Sequence, residues 1–123
     1  MTSISDAKAK VYPFLVAEGR AGQRIFYRDL WKMAGLNPGW RRYMGTVVGE
    51  ISEEELVKGN PPLSAIVVRI VTGYPGGGFF GLPCTPPHLM RTKAQFSEAL
   101  SNADKEYVRL QQEAVWKHWG NVS

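Results

Sequence analysis

Between Tyr27 and Val68 the chain carries two short amphipathic stretches separated by a sharp corner, then an acidic turn and a β-branched run. The segment reads YRDLWKMAGLNPGWRRYMGTVVGEI and closes with PPLSAIVV. Residues 28 to 34 have the spacing of a short helix that offers Leu30, Trp31 and Met33 for burial. Gly35 supplies a left-handed stop, and Asn37-Pro38-Gly39 supplies the turn. A second helix is expected from about Gly39 to Lys58, with Trp40, Met44, Val47, Val48 and Ile51 on one face. Ser52 followed by Glu55 matches a capping box, which allows a separate short helix over 53–58. Ser64 to Val71 is the clearest strand of the chain. Thr72 to Gly78 reads as a turn, and Phe79 to Leu82 as the returning strand of a β-hairpin.

The flanking segments add helices. Residues 4 to 18 repeat apolar positions at helical spacing, with Ser3 or Ser5 as cap and the Gly19 to Gly22 stretch as stop. Pro13 predicts a kink or a late start there. Gln23 to Tyr27 fits a brief strand. Pro83 to Pro87 reads as an extended linker, and residues 93 to 119 as helical with a break at Ser101-Asn102. The expected architecture is α+β: one domain over 1–123, with a winged helix-turn-helix-like core at 23–83 and a C-terminal helical segment at 93–119. The hairpin is the wing.

Several kinds of chemistry lack support. No apolar run approaches the roughly 20 residues that span a membrane. The opening MTSISDAKAK has no apolar export core, so a cytoplasmic protein is expected. Cys84 is the single cysteine, and His88 and His118 have no ligand partners at metal spacing, so neither a metal nor a cofactor is expected. Ser64 lacks both a nucleophile elbow and a histidine partner, which argues against catalysis. The glycine run Gly76-Gly77-Gly78 lacks the Lys-Ser/Thr ending of a nucleotide-binding loop. It reads as a flexible wing tip able to approach a partner closely.

Charge points to a partner. Residues 1 to 48 hold eight Lys/Arg against three acids, and residues 49 to 60 reverse the sign through Glu50, Glu53, Glu54 and Glu55. A basic surface confined to the first half suits phosphate. Arg41 and Arg42 open the second helix, where a guanidinium fork can bond a phosphate or a base edge. Trp40 beside them either stacks on a base or anchors the helix, and its register with Met44 and Val47 favours the anchor. Non-catalytic binding to double-stranded DNA is the expectation, with Tyr27, Arg28, Trp40, Arg41, Arg42, Gly76, Gly77 and Gly78 as contacts.

The same segment resembles the DNA-binding half of the alkylguanine-DNA alkyltransferases and alkyltransferase-like proteins. Tyr27 and Leu30 match that family's first helix, Arg42-Tyr43-Met44-Gly45 its Arg-x-x-Gly step, and Leu63 to Val68 its active-site strand. The resemblance implies a minor-groove helix-turn-helix in which Tyr27 contacts the backbone and Arg42 enters the base stack. Ser64 stands at the alkyl-accepting cysteine and Ala65 at the activating histidine, so alkyl transfer is not expected.

An alternative expectation is a protein-interaction or inhibitory module, such as a small phage or mobile-element factor binding a host protein. Tyr74, Phe79, Phe80, Trp116 and Trp119 motivate it, because aromatic residues are favoured at interface hot spots.

Overall fold

A capping box at Ser3 starts the chain's first helix: Ser3 Oγ accepts the Asp6 N–H, and the Asp6 carboxylate accepts the Ser3 N–H. The computed structural model describes residues 2–120. Helix α1 (Ile4–Ala21) turns Ala7, Val11, Leu15 and Gly19 inward and stops at Gly22, whose φ of 68° is left-handed. Pro13 does not delay or divide this helix; it lies inside it, on the exposed side. Helix α4 (Asn102–Gly120) packs along α1 and buries Tyr107, Val108, Gln112, Val115 and Trp119. The contact is close at Gly19, where an added Cβ would come within 3.2 Å of the Trp119 ring.

The expected brief strand forms as β1 (Ile25–Phe26) and leads without a break into α2 (Tyr27–Met33). Gly35 makes the left-handed stop, with φ of 73°. The corner is then tighter than expected. Asn37 accepts the Gly39 N–H with its side chain, Pro38 follows, and the chain coils into a 3₁₀ helix, Pro38–Tyr43. The α-helical hydrogen bonding of α3 (Met44–Val57) begins only afterwards. Trp40, Arg41 and Arg42 therefore sit in a 3₁₀ entry rather than in the first α-turn, a common prelude to an α-helix.

Helix α3 runs through the place where a second helix was expected to begin. Ser52 is buried and bonds across the fold, to the backbone of Ser64, instead of capping a helix. Glu55 is not part of a solvated acidic face. It is buried, and its carboxylate accepts from the Tyr12 hydroxyl and from Asn60 Nδ2.

The strand region departs most from expectation. Leu63–Ile66 is a 3₁₀ helix, and only Val67–Val68 is strand, β2, paired parallel to β1 with Ile25 opposite Val67 and Phe26 opposite Val68. Every residue from Leu63 to Val68 is buried, because α1, α3 and α4 all pack against this segment. Burial on both faces explains the apolar run from Ala65 to Val68. No β-hairpin forms among the described residues, since Phe79 and Phe80 belong to a 3₁₀ helix, Gly77–Gly81. Successive strand residues face opposite sides, so a one-sided hairpin would expose one of the two rings. Coiling buries both, with ring centres 5.7 Å and 6.3 Å from Tyr107. The fold is thus mainly helical with a two-stranded parallel sheet, an α+β arrangement without the expected wing.

The helix expected from 93 to the break at Ser101-Asn102 does not form: only Lys93–Gln95 coils, as a short 3₁₀ turn, and the chain is irregular from there to α4. Arg91 ties this irregular stretch down. Its guanidinium donates to the carbonyls of Gln95, Glu98 and Ala99 and to Asp104 at 2.9 Å.

Candidate functional site

Because β1 and β2 are parallel and in register at Phe26 and Val68, the residues that follow them leave the sheet side by side. Those residues are Tyr27 and Arg69. Ligands of parallel sheets collect beyond the carboxyl ends of the strands, where successive segments diverge. A cleft of about 680 Å³ opens at this place. Arg41 and Arg42 line it from the 3₁₀ turn, Gly45, Thr46 and Gly49 from α3, and Gly76 and Gly78 from the start of the Gly77–Gly81 3₁₀ helix.

Small residues hold the cleft open. Gly45 and Gly49 are four apart on α3, and a Cβ on either would meet nothing within 4 Å. Phe96 also lines the cleft and packs its ring near Gly78 and Gly81. Leu82 and Phe79 complete an apolar wall.

The electrostatics are one-sided. Three arginines line the cleft, Arg41, Arg42 and Arg69, and no carboxylate does. Among the described residues none of the three has an ion-pair partner. Arg42 instead lies over the Tyr43 ring at 5.0 Å. Some cations elsewhere form ion pairs: Lys8 with Glu50 and Glu54 at 3.4 Å and 2.8 Å, Arg91 with Asp104, Arg109 with Glu106 and Glu113. Lys8 shows that the opposing charge runs of the sequence partly cancel in space.

Three hydroxyl residues, Tyr27, Thr46 and Ser64, line the cleft with the arginines. Burial pushes the Tyr27 phenol up to about 12, although the Gly76 backbone and the Arg69 charge pull the other way. The hydroxyl is therefore a neutral donor throughout the physiological range. Ser64 is 4% exposed, lines the cleft, and its Oγ has no hydrogen-bond partner. A buried polar atom without a partner costs about 1–3 kcal/mol, so its persistence calls for an explanation.

Of the residues expected to form the site, Tyr27, Arg41, Arg42, Gly76 and Gly78 meet at the cleft, and Gly77 lies between the last two in the chain. Arg28 does not join them; it is exposed and lies 3.6 Å from Asp29. Trp40 is half-buried against the core and stacks edge-on with Tyr43, so it acts as an anchor. Arg69, Thr46, Gly49 and Phe96 were not anticipated. Arg69 had a signal, since it directly follows the most apolar run of the chain.

The aromatic residues that suggested a protein-binding surface are packed inward. Phe79, Phe80 and Trp119 are buried, Tyr74 and Trp116 are half-buried, and Trp116 Nε1 donates to the Gln23 carbonyl. Cys84 is exposed, with its Sγ 3.5 Å from the Tyr107 hydroxyl. Neither His88 nor His118 lines the cleft. Among the described residues no three His, Cys, Asp or Glu side chains group at metal-binding distance, and no helix is long and apolar enough to cross a membrane. Comparison with protein-family models, curated proteins and solved structures finds no match.

Proposed function

We propose that this chain is a non-catalytic DNA-binding protein that holds phosphate at the cleft between the 3₁₀ turn, α3 and the Gly76–Gly78 loop. The observation that carries the proposal is the set of three arginines without ion-pair partners around a cleft free of carboxylates. Unspent guanidinium charge on one concave surface is what phosphate recognition requires. The order α2, 3₁₀ turn, α3 supports a helix-turn-helix presentation, and Tyr27 and Arg42, which the resemblance to alkyltransferase-like proteins would put on DNA, both line the cleft. With no hairpin, the glycine loop takes the role assigned to the wing.

Binding without chemistry is favoured because no imidazole, thiol or carboxylate lines the cleft beside Ser64. An electrophoretic mobility-shift assay on duplex DNA at low salt tests the proposal. A retarded complex that disappears in the Arg41→Ala/Arg42→Ala variant is the expected result. Absence of any complex with the wild-type chain would sink it.

A further inference from the structure

The cleft has more features than contact with a continuous DNA backbone demands. Its volume of about 680 Å³ is that of a small-ligand pocket, whereas a duplex presents its phosphates on a convex surface. Arg41, Arg42 and Arg69 converge on one concavity instead of following a track. A phosphodiester brings one negative charge to such a place, and a phosphomonoester brings nearly two.

The hydroxyls define the site further. Ser64 Oγ is enclosed and unpartnered, while its own backbone N–H is already satisfied by Ser52 Oγ at 2.9 Å. A terminal phosphate oxygen or a sugar hydroxyl can supply the missing partner. Tyr27 adds a second, neutral donor beside Arg69. The cleft is also lined by the Phe96 ring and by the side-chain-free surface of Gly45 and Gly49, which suit a flat apolar face. Cationic groups beside an aromatic wall match a nucleotide: phosphate on the arginines, base against the ring.

We propose that the cleft binds a single nucleotide through a phosphomonoester, either a free nucleoside monophosphate or the 5′-phosphorylated end of a DNA strand. The inference rests on the DNA-binding reading of the same cleft and narrows it to a terminal phosphate. Arg41, Arg42 and Arg69 neutralise the phosphate, Ser64 and Tyr27 hydrogen-bond to it, and Phe96 stacks on the base.

The test uses the full chain and fluorescence anisotropy with one labelled duplex, carrying either 5′-phosphate or 5′-hydroxyl ends. 5′-Deoxyadenosine monophosphate and deoxyadenosine serve as competitors. The phosphorylated duplex should bind about tenfold tighter or more, as for added hydrogen bonds to a charged group. The monophosphate should compete and the nucleoside should not. Ser64→Ala and Gly49→Leu should both remove the preference. Ser64→Ala breaks no hydrogen bond and the space beyond Gly49 is open, and thermal melting checks that each variant folds.

Equal affinity for both duplexes, with no competition by the monophosphate, overturns the inference and leaves DNA binding intact. Direct calorimetric binding of the monophosphate that Gly49→Leu abolishes, in a chain that retains no duplex, supports the inference and removes the DNA reading. No binding to any of these probes overturns both.

Discussion

Ser52 Oγ accepts the backbone N–H of Ser64 at 2.9 Å, and this bond leaves the Ser64 side chain with nothing to do inside the fold. The two serines thus have opposite roles. Ser52 is structural: Ser52→Ala strands a buried N–H and should cost about 1–3 kcal/mol. Ser64→Ala removes an unpaired polar atom, so it should leave stability unchanged or raise it. Urea denaturation of the two variants measures the contrast. A loss of stability in Ser64→Ala as large as that in Ser52→Ala would mean that Ser64 Oγ has a structural partner.

Arg91 and Asp104 form the most enclosed ion pair among the described residues, with side chains 9% and 7% exposed. Arg91 also satisfies three carbonyls of the irregular segment before α4. Arg91→Ala leaves a buried carboxylate and should cost about 3–5 kcal/mol. Replacing both partners with apolar residues should recover part of that loss in chemical denaturation.

The same pair predicts an acid dependence. Burial alone would raise the Asp104 carboxyl, but hydrogen bonds from Ser101 and the Arg91 charge outweigh it and hold the group below its ordinary value. A depressed folded-state value contributes stability that is present above the unfolded value of about 3.9 and is lost as pH falls further. Unfolding free energies measured between pH 6 and pH 3 (an interval spanning that value, about 3.9) should therefore fall at the acid end. Arg91→Ala should flatten that part of the profile.

Alkaline titration probes the enclosed phenols. Desolvation raises Tyr12, Tyr27 and Tyr107, the first two to about 12, with the Glu55 carboxylate adding to the effect at Tyr12. Unfolded tyrosines ionise near about pH 10. The stability these groups contribute is complete below that value and is lost as pH rises through about 12. Absorbance at 295 nm (roughly the tyrosinate band, read against the reference value of about 10) should show their ionisation coinciding with loss of helical circular dichroism. Ionisation well before unfolding would contradict the enclosed placement of these hydroxyls.

Local signals in the sequence were sufficient for α1 and α2, but not for the 3₁₀ entry to α3 or the irregular chain between Gln95 and Asn102. Ser3 or Ser5 as cap, the Gly19 to Gly22 stretch and Gly35 placed α1 and the end of α2, because caps and left-handed stops act over a few residues. The sheet was not legible in the same way. Val67 and Val68 pair with Ile25 and Phe26, far away in the chain, and nothing local distinguishes a short parallel pair from one arm of a hairpin. Phe79 and Phe80 misled for a related reason, since their burial is decided by Tyr107 on α4. Tyr27, Arg41 and Arg42 stood out by type and position. Arg69 was marked only by following the apolar run, and its place at the cleft became clear once β2 was known to end beside β1.

The most direct test of the account is the salt dependence of duplex binding by the wild-type chain and by Arg41→Ala, Arg42→Ala and Arg69→Ala. Each cleft arginine that meets a phosphate should lower the slope of log K against log salt by about 0.9 when it is removed. Arg28→Ala, outside the cleft, should leave the slope nearly unchanged. The prediction is a steep wild-type slope that falls with each of the three cleft substitutions. A slope unaltered by all three, or changed only by Arg28→Ala, would contradict the assignment of this cleft as the phosphate-binding surface.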